Sequence, residues 1–162
     1  MKNFKNTKKE SFLSTIPTAS IELDTDRLTV KCKFNFSYFC NSQSAGQDFK
    51  DWDNDELVKL FEKLKNYSEK SLNDWKTEFT GRYPVFVIYD NFPRKSDFEL
   101  PKNIPHQVKW ARFHLENKVR LVGFVIPDNF HDKVHQKTRE RFDKNTFYIV
   151  FLDKEHRFYI TE

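Results

Sequence analysis

The clearest alternation of hydrophobic and polar residues in this chain runs from Leu28 to Phe39. One set of alternating positions is apolar or aromatic, comprising Val30, Cys32, Phe34, Phe36 and Tyr38. The positions between them are polar, comprising Lys31, Lys33, Asn35 and Ser37. Strict alternation over this length predicts a β-strand with one buried face and one solvent-facing face.

After residue 53 the pattern changes to a helical period. Apolar residues recur at the i, i+3, i+4 and i+7 spacing of an amphipathic helix, namely Leu57, Leu60, Phe61 and Leu64. Asp53 or Asn54 can cap this helix. Ser68 or Ser71 can cap a second helix, for which Gly81 is a suitable end. The second helix would carry three large apolar side chains, Leu72, Trp75 and Phe79.

Four short segments predict an antiparallel β-meander near the C terminus: Arg112–Leu115, Val119–Ile126, Phe147–Leu152 and His156–Ile160. In the first, Arg112 and His114 face one way and the apolar pair between and after them faces the other. The third is a continuous apolar run, which is typical of a strand buried on both faces. The polar insertion 128–144 is predicted to form a short exposed helix. The order of elements predicts an α+β fold with an N-terminal strand, two helices and a C-terminal antiparallel meander.

Length and composition narrow the class of protein. The 162 residues suffice for one hydrophobic core, and we expect a single α+β domain over residues 21–162. The first ten residues contain four lysines and one acid, so residues 1–20 are predicted to be a flexible basic N-terminal segment. Two cysteines are too few for a disulfide framework. We find no secretory leader and no apolar run of membrane-spanning length, so we expect a cytoplasmic protein that does not enter a membrane.

Several classes of chemistry have no signature here. Three scattered glycines cannot build a phosphate-binding loop. His131 and His135 have the spacing of one helix face, but Asp132 stands where zinc proteases need glutamate, and no third ligand is identifiable. We therefore predict neither a metal site nor a cofactor. The net charge of +4 permits nucleic-acid binding without requiring it.

One basic constellation remains, and it belongs to the meander: Arg112, His114, Lys118, Arg120, His156 and Tyr159. Cleavage of RNA by its own 2′-hydroxyl needs a base for the hydroxyl proton, cations for the pentavalent phosphate and an acid for the leaving oxygen. Arginine and lysine can meet the second need, and histidine or tyrosine the other two. The alternative is that the arginines pair with surface acids and that His156 and Tyr159 only complete a hairpin.

The closing part of the chain, from Arg112 through "KVRLVGFVI" to "FYIVFLDKEHRFY", resembles the ending of RelE/HigB-like ribosome-dependent mRNA interferase toxins. The order of one strand, two helices and a meander is also similar to their plan. The resemblance implies that Arg120 contacts phosphate and that His156 and Tyr159 take part in acid–base chemistry. It further implies RNA or a ribosome as the target and an acidic antitoxin-like protein as a partner.

The same ending is similar to that of small bacterial proteins with an "F-Y-I-V-x-L-D-x-x-H-x-x-Y" pattern, a likeness that carries no assigned activity. We therefore expect a metal-independent endoribonuclease, or a relative that binds RNA or a ribosome, with Arg112, His114 and Lys118 as RNA-binding residues. The rival hypothesis is a non-catalytic interaction module of a mobile element or phage-defence system, whose aromatic-rich sheet holds another protein.

Overall fold

The structure, a computed structural model, describes residues 7–17, 21 and 27–160. The chain divides by its contacts into two units, Met1–Val30 and Lys31–Glu162. The first unit contains helix α1 (Thr7–Ser14), which falls within the segment predicted to be flexible. Residues 1–6 and 18–20 of that segment lie outside the described residues, so its flexibility stays a prediction.

The second unit is built around a mainly antiparallel sheet, so the predicted α+β fold is confirmed. Its described strands are β1 (Lys33–Asn35), β4 (Phe86–Ile88), β5 (Lys109–Glu116), β6 (Val119–Val125) and β7 (Thr146–Asp153), in the order β1-β7-β6-β5-β4. β1 runs parallel to β7, and the other neighbours are antiparallel. A separate ribbon pairs β2 (Phe79–Thr80) with β3 (Tyr83–Pro84).

The first strand is much shorter than its sequence pattern predicts. A backbone hydrogen bond of 3.0 Å from Phe39 N–H to the Phe36 carbonyl closes a turn directly after it. Phe34 packs against rings on one face of the sheet, whereas Tyr38 packs against Phe124 on the other face. The predicted single buried side from Val30 to Tyr38 is therefore wrong beyond Phe34.

Helix α2 (Asn54–Tyr67) begins where its capping residues predict. The Asp53 carboxylate accepts a hydrogen bond from Glu56 N–H (2.8 Å), and the Glu56 side chain accepts one from Asp53 N–H (3.0 Å). Helix α3 (Leu72–Trp75) is capped by Ser71 in the same way but ends well before Gly81. Gly81 instead lies in the β2–β3 turn with a φ of 61°, a conformation that favours glycine.

The sheet has two differently covered faces. The helix face packs against α2 and α3, and its buried sheet residues include Phe113, Leu115, Leu121, Phe147 and Ile149. The loop face is covered by the irregular segment 89–108 and by Phe158, and its buried sheet residues include Trp110, Val122, Phe124, Val150 and Phe151. The predicted alternation of Arg112 and His114 against Phe113 and Leu115 is confirmed, because these pairs lie on opposite faces.

Two predicted elements near the C terminus are wrong. The insertion 128–144 contains one 3₁₀ turn (Asp128–Phe130) and an antiparallel bridge between Val134 and Arg141 in place of the expected helix. The segment after Asp153 is a folded tail in place of a strand. Its backbone contacts the segment 95–97, as in the hydrogen bond from Asp97 N–H to the Arg157 carbonyl (3.1 Å). Among the described residues, no helix is long and apolar enough to cross a membrane.

Candidate functional site

A row of polar side chains crosses the loop face beside the β5–β6 turn. His114 on β5 lies opposite Arg120 on β6, and Arg120 lies opposite Asp153 on β7. All three side chains are buried, with 4% of His114, 5% of Arg120 and none of Asp153 exposed. Together with Arg112 and His156 they form a group that we term the polar cluster.

The carboxylate of Asp153 folds the tail that follows it. Its oxygens accept hydrogen bonds from the backbone N–H groups of Arg157 and Phe158, both at 2.9 Å, and from that of Glu155 at 3.3 Å. The turn takes His156 into the left-handed region at a φ of 62°, a conformation uncommon for a non-glycine residue. A buried carboxylate thus sets the position of a candidate catalytic histidine.

Arg120 carries a buried guanidinium that the protein satisfies only in part. Its Nη1 donates to the carbonyls of Asn117 (2.7 Å) and Val119 (2.9 Å), which holds the side chain against the β5–β6 turn. Burial, and next the charge of Arg112, lowers the pKa of Arg120 to about 10. At neutral pH Arg120 therefore remains charged. The polar cluster therefore contains two guanidinium groups and one carboxylate, and that carboxylate already accepts three backbone hydrogen bonds.

Both histidines of the cluster are held in the neutral form at neutral pH. Burial lowers the pKa of His114 to about 4, and the charges of Arg120 and Arg112 act in the same direction. The same causes, in the same order, lower the pKa of His156, although Asp153 opposes them. A neutral imidazole can accept a proton, which is the requirement for a general base.

Three tyrosines surround the cluster. The hydroxyl of Tyr89 accepts a hydrogen bond from Arg112 Nε (3.1 Å), and the ring of Tyr159 stacks on that of Tyr89 with centroids 5.1 Å apart and planes 7° apart. Tyr83 stacks on His114 at 5.4 Å and 11°. Tyr83 and Tyr159 are 51% and 41% exposed, so both rings are available to a ligand.

Three buried nitrogens of the cluster have no hydrogen-bond partner among the described residues: Arg112 Nη1, His114 Nδ1 and Arg120 Nε. Each unsatisfied buried polar atom costs about 1–3 kcal/mol, and native proteins contain few of them. Three such atoms lie within one cluster. The two on guanidinium groups are donors of the kind that bind carboxylate and phosphate oxygens.

The structure brings together five of the six residues singled out in the sequence. Arg112, His114, Arg120 and His156 belong to the polar cluster, and Tyr159 joins it through Tyr89. The sixth, Lys118, is exposed in the β5–β6 turn, and its charge is the smallest cause of the lowered His156 pKa.

Sequence reasoning missed Tyr83, Tyr89 and Asp153 as members of the site. For Asp153 a signal existed, since a carboxylate ends the otherwise apolar run of β7. The two tyrosines gave none, because both precede the meander by many residues. Tyr83 lies in β3, and Tyr89 directly follows β4, which pairs with β5.

Comparisons with known proteins leave this site to be interpreted from its own chemistry. No protein-family model matches the chain, and searches of curated proteins and of solved structures return no match. Among the described residues, no group of three or more histidine, cysteine, aspartate or glutamate side chains is arranged to hold a metal ion.

Proposed function

We propose that the polar cluster binds an RNA phosphodiester and that the protein is an endoribonuclease whose proton transfers are made by side chains. The observation that supports this most directly is the set of three unpartnered nitrogens on Arg112, His114 and Arg120. Two guanidinium donors beside neutral imidazoles match the needs of a phosphate and of a hydroxyl that must lose a proton.

Each residue has a role in the proposed reaction. His156 takes the proton of the 2′-hydroxyl, and the 2′-oxygen then attacks phosphorus to form a 2′,3′-cyclic phosphate. Arg112 and Arg120 stabilise the charge that develops on the phosphate oxygens. The bond from phosphorus to the 5′-oxygen breaks, and Tyr159 gives that oxygen a proton. His114, whose pKa of about 4 keeps it neutral, accepts a hydrogen bond from the ribose or base.

Access to the cluster depends on its tyrosines. The three unpartnered nitrogens are covered by protein, and Tyr83 lies flat on His114. Within this proposal, RNA displaces the ring of Tyr83 or Tyr159, and an unstacked base then takes a place beside it. Base stacking on an aromatic ring is worth about 1–3 kcal/mol, which is enough to offset the loss of one ring pair.

The experiment is cleavage of a 5′-labelled single-stranded RNA by the purified protein, with and without ribosomes that translate it. We expect products with a 2′,3′-cyclic phosphate, no cleavage of the all-deoxy strand and unchanged rates with a chelator. His156→Ala and Arg120→Lys should each lose 100-fold or more of the rate, on the order of single catalytic-group losses. His106→Ala, which alters an exposed histidine outside the cluster, is the matched control.

The pH dependence supplies a second test. Because the pKa of His156 is lowered, its base form predominates above an apparent pKa that lies below 6.5. We expect kcat/KM to rise with pH through that value and then to level off. RNA that stays intact under all these conditions, or a fully active His156→Ala variant, would overturn the proposal. In that case the rival role, a non-catalytic module that holds another protein, becomes the one to pursue by pull-down.

A further inference from the structure

A cavity lies at the other end of the loop face, away from the polar cluster. Its volume is about 410 Å³, and it is bounded on one side by the sheet and on the other by the insertion, residues 128–144, which we term the flap. Six rings contribute to its lining: Tyr38, Phe124, Tyr148, Phe130, His135 and Phe142.

The wall on the sheet side is a stacked aromatic surface. Phe124 on β6 and Tyr148 on β7 are cross-strand partners whose rings stack at 4.9 Å with planes 9° apart. Tyr38 meets both rings edge-on, at 5.1 Å and 5.8 Å. These side chains hold one another, so the wall is formed before any ligand binds.

The flap supplies the opposite wall, and its own backbone hydrogen bonds order it. Asp132 N–H donates to the Phe142 carbonyl, Phe142 N–H donates to the Lys133 carbonyl, both at 3.0 Å, and His135 N–H donates to the Glu140 carbonyl at 2.8 Å. This short ladder brings Phe142 beside Phe130 and His135, with centroids 5.6 Å and 5.7 Å away.

The chemistry of His135 adds a hydrogen-bond donor to this wall. Its Nδ1 accepts a hydrogen bond from Thr138 N–H (3.2 Å), so in the neutral ring the proton is assigned to Nε2. A donor on the cavity lining suits a ligand whose ring carries acceptor atoms at its edge, as every nucleobase does.

Charge decides which aromatic-binding ligand the cavity favours. Cages for organic cations bind by cation–π attraction, yet no carboxylate of the residues that the structure describes lines this cavity. Two flap acids form ion pairs: Asp128 with Lys144 (3.2 Å) and Asp143 with Lys33 (2.5 Å). Asp132 lies 3.6 Å from His131.

The flap contains five cations and four acids, a net charge of +1. Lys137 and Arg139 form no ion pair with the described residues, and Arg141 donates to the Asp132 carbonyl. Lys133 lies 5.4 Å from the centre of the Phe130 ring, and Glu140 is the one further acid of the flap. A ring that carries a negative charge outside the cavity fits this distribution better than a cation does.

We propose that the cavity binds one nucleobase, stacked between the sheet wall and the flap, with its phosphate directed to the flap cations. The nucleobase belongs either to a free nucleotide or to a nucleotide of single-stranded RNA. The site uses none of the residues of the polar cluster, so the inference stands apart from the proposed cleavage.

Calorimetric titration of the full-length His156→Ala protein, in which the proposed cleavage is blocked, tests this. The probes are adenosine monophosphate, adenosine, a single-stranded RNA hexanucleotide, inorganic phosphate and tetramethylammonium. We expect the monophosphate to bind more tightly than adenosine and tetramethylammonium to give no saturable heat. Inorganic phosphate can bind the polar cluster, so its heat should be the same in the Phe142→Ala variant. A hexanucleotide that binds at least 10-fold more tightly than the monophosphate, and that Phe142→Ala weakens, indicates an RNA strand as the ligand of the cavity. Equal affinities, both weakened by Phe142→Ala, indicate a free nucleotide.

The variants compare rings that line the cavity with a ring that lies outside it. Phe142→Ala and, separately, Phe130→Ala should each weaken nucleotide binding about 10-fold or more through lost stacking. Phe79→Ala removes a 62% exposed ring outside the cavity and should leave affinity unchanged. The double variant Lys137→Gln with Arg139→Gln should weaken the monophosphate but not adenosine.

Saturable binding of tetramethylammonium without the nucleotide would overturn the inference, and so would nucleotide binding that neither Phe142→Ala nor Phe130→Ala weakens. Absence of binding by any base-containing probe would overturn it as well. RNA cleavage by the wild-type protein is scored separately, so either proposal can fail alone.

Discussion

The two faces of the sheet are built from the same strands but differ in how completely their buried polar groups are paired. On the helix face, Phe113 and Phe147 are completely buried among other rings. Polar groups there are mostly paired: Tyr67 hydroxyl donates to the His114 carbonyl and Trp75 Nε1 to the Tyr67 carbonyl, while Trp52 Nε1 is an exception. The loop face holds three unpaired nitrogens at one end and an aromatic cavity at the other. Both faces bury core residues, and the loop face also carries the candidate chemistry.

Burial acts on titratable groups of both faces but with opposite consequences. On the helix face it raises the pKa of Cys32 and of Tyr67 to about 12, so both stay protonated and inert. On the loop face it lowers the pKa of His114 and His156, which turns each into a neutral proton acceptor at pH 7. The direction of the pKa shift therefore depends on the residue type, and not on the degree of burial alone.

The largest change in stability is expected from removing a buried ring on the helix face. Phe113 is fully buried and contacts the rings of Phe34, Tyr67, Phe86 and Phe147. Phe113→Ala should lower the free energy of unfolding by about 3–5 kcal/mol. Urea denaturation measures this, and Phe79→Ala, at an exposed position, should change it by less than about 0.5 kcal/mol. A loss under about 1 kcal/mol for Phe113→Ala would contradict the burial of Phe113 in the core of the helix face.

A smaller effect is expected from acid on the loop face. Unfolded His114 binds a proton below pH 6.5, but the folded residue does so only below about pH 4. The unfolded state therefore binds more protons between these values, and stability should fall by about 1–3 kcal/mol as pH drops from 6.5 to 4. His114→Gln should reduce this decline in denaturation curves taken at several pH values. His106→Gln should leave the decline unchanged. An identical decline in the wild-type protein and in both variants would refute the prediction.

The smallest difference concerns the two carboxylates that hold the tail. Asp153 is fully buried and accepts three backbone hydrogen bonds, whereas the half-exposed carboxylate of Asp97 pairs with Arg157 Nε at 2.7 Å. Asp153→Ala should cost about 2 kcal/mol by leaving buried donors unpaired, and Asp97→Ala less than about 1 kcal/mol. Thermal denaturation ranks the two variants, and equal losses would mean that the buried carboxylate does not organise the tail.

Local sequence determined those parts of the fold that depend on neighbours along the chain. The start of α2 follows from the Asp53–Glu56 capping box, and the burial of Leu60 and Leu64 follows from helical spacing. The pleat of β5 follows from strict alternation, which separates Arg112 and His114 from the apolar residues between and after them. The continuous apolar run of β7 predicted a strand buried on both faces, and all of its residues except Tyr148 are buried.

Only the tertiary structure decided how the site is assembled. Asp153 accepts hydrogen bonds from backbone N–H groups that follow it, and so folds a tail where the pattern predicted a strand. The flap is held by backbone hydrogen bonds across it, which no helical or strand periodicity in the sequence predicts. Tyr89 lies beside Arg112 because β4 pairs with β5. Tyr83 lies beside His114 because the backbone between β3 and β4 joins β5 through the hydrogen bond from His114 N–H to the Val85 carbonyl (2.8 Å). Periodicity records which side of an element is buried, whereas the partners that a side chain meets depend on which strands lie side by side.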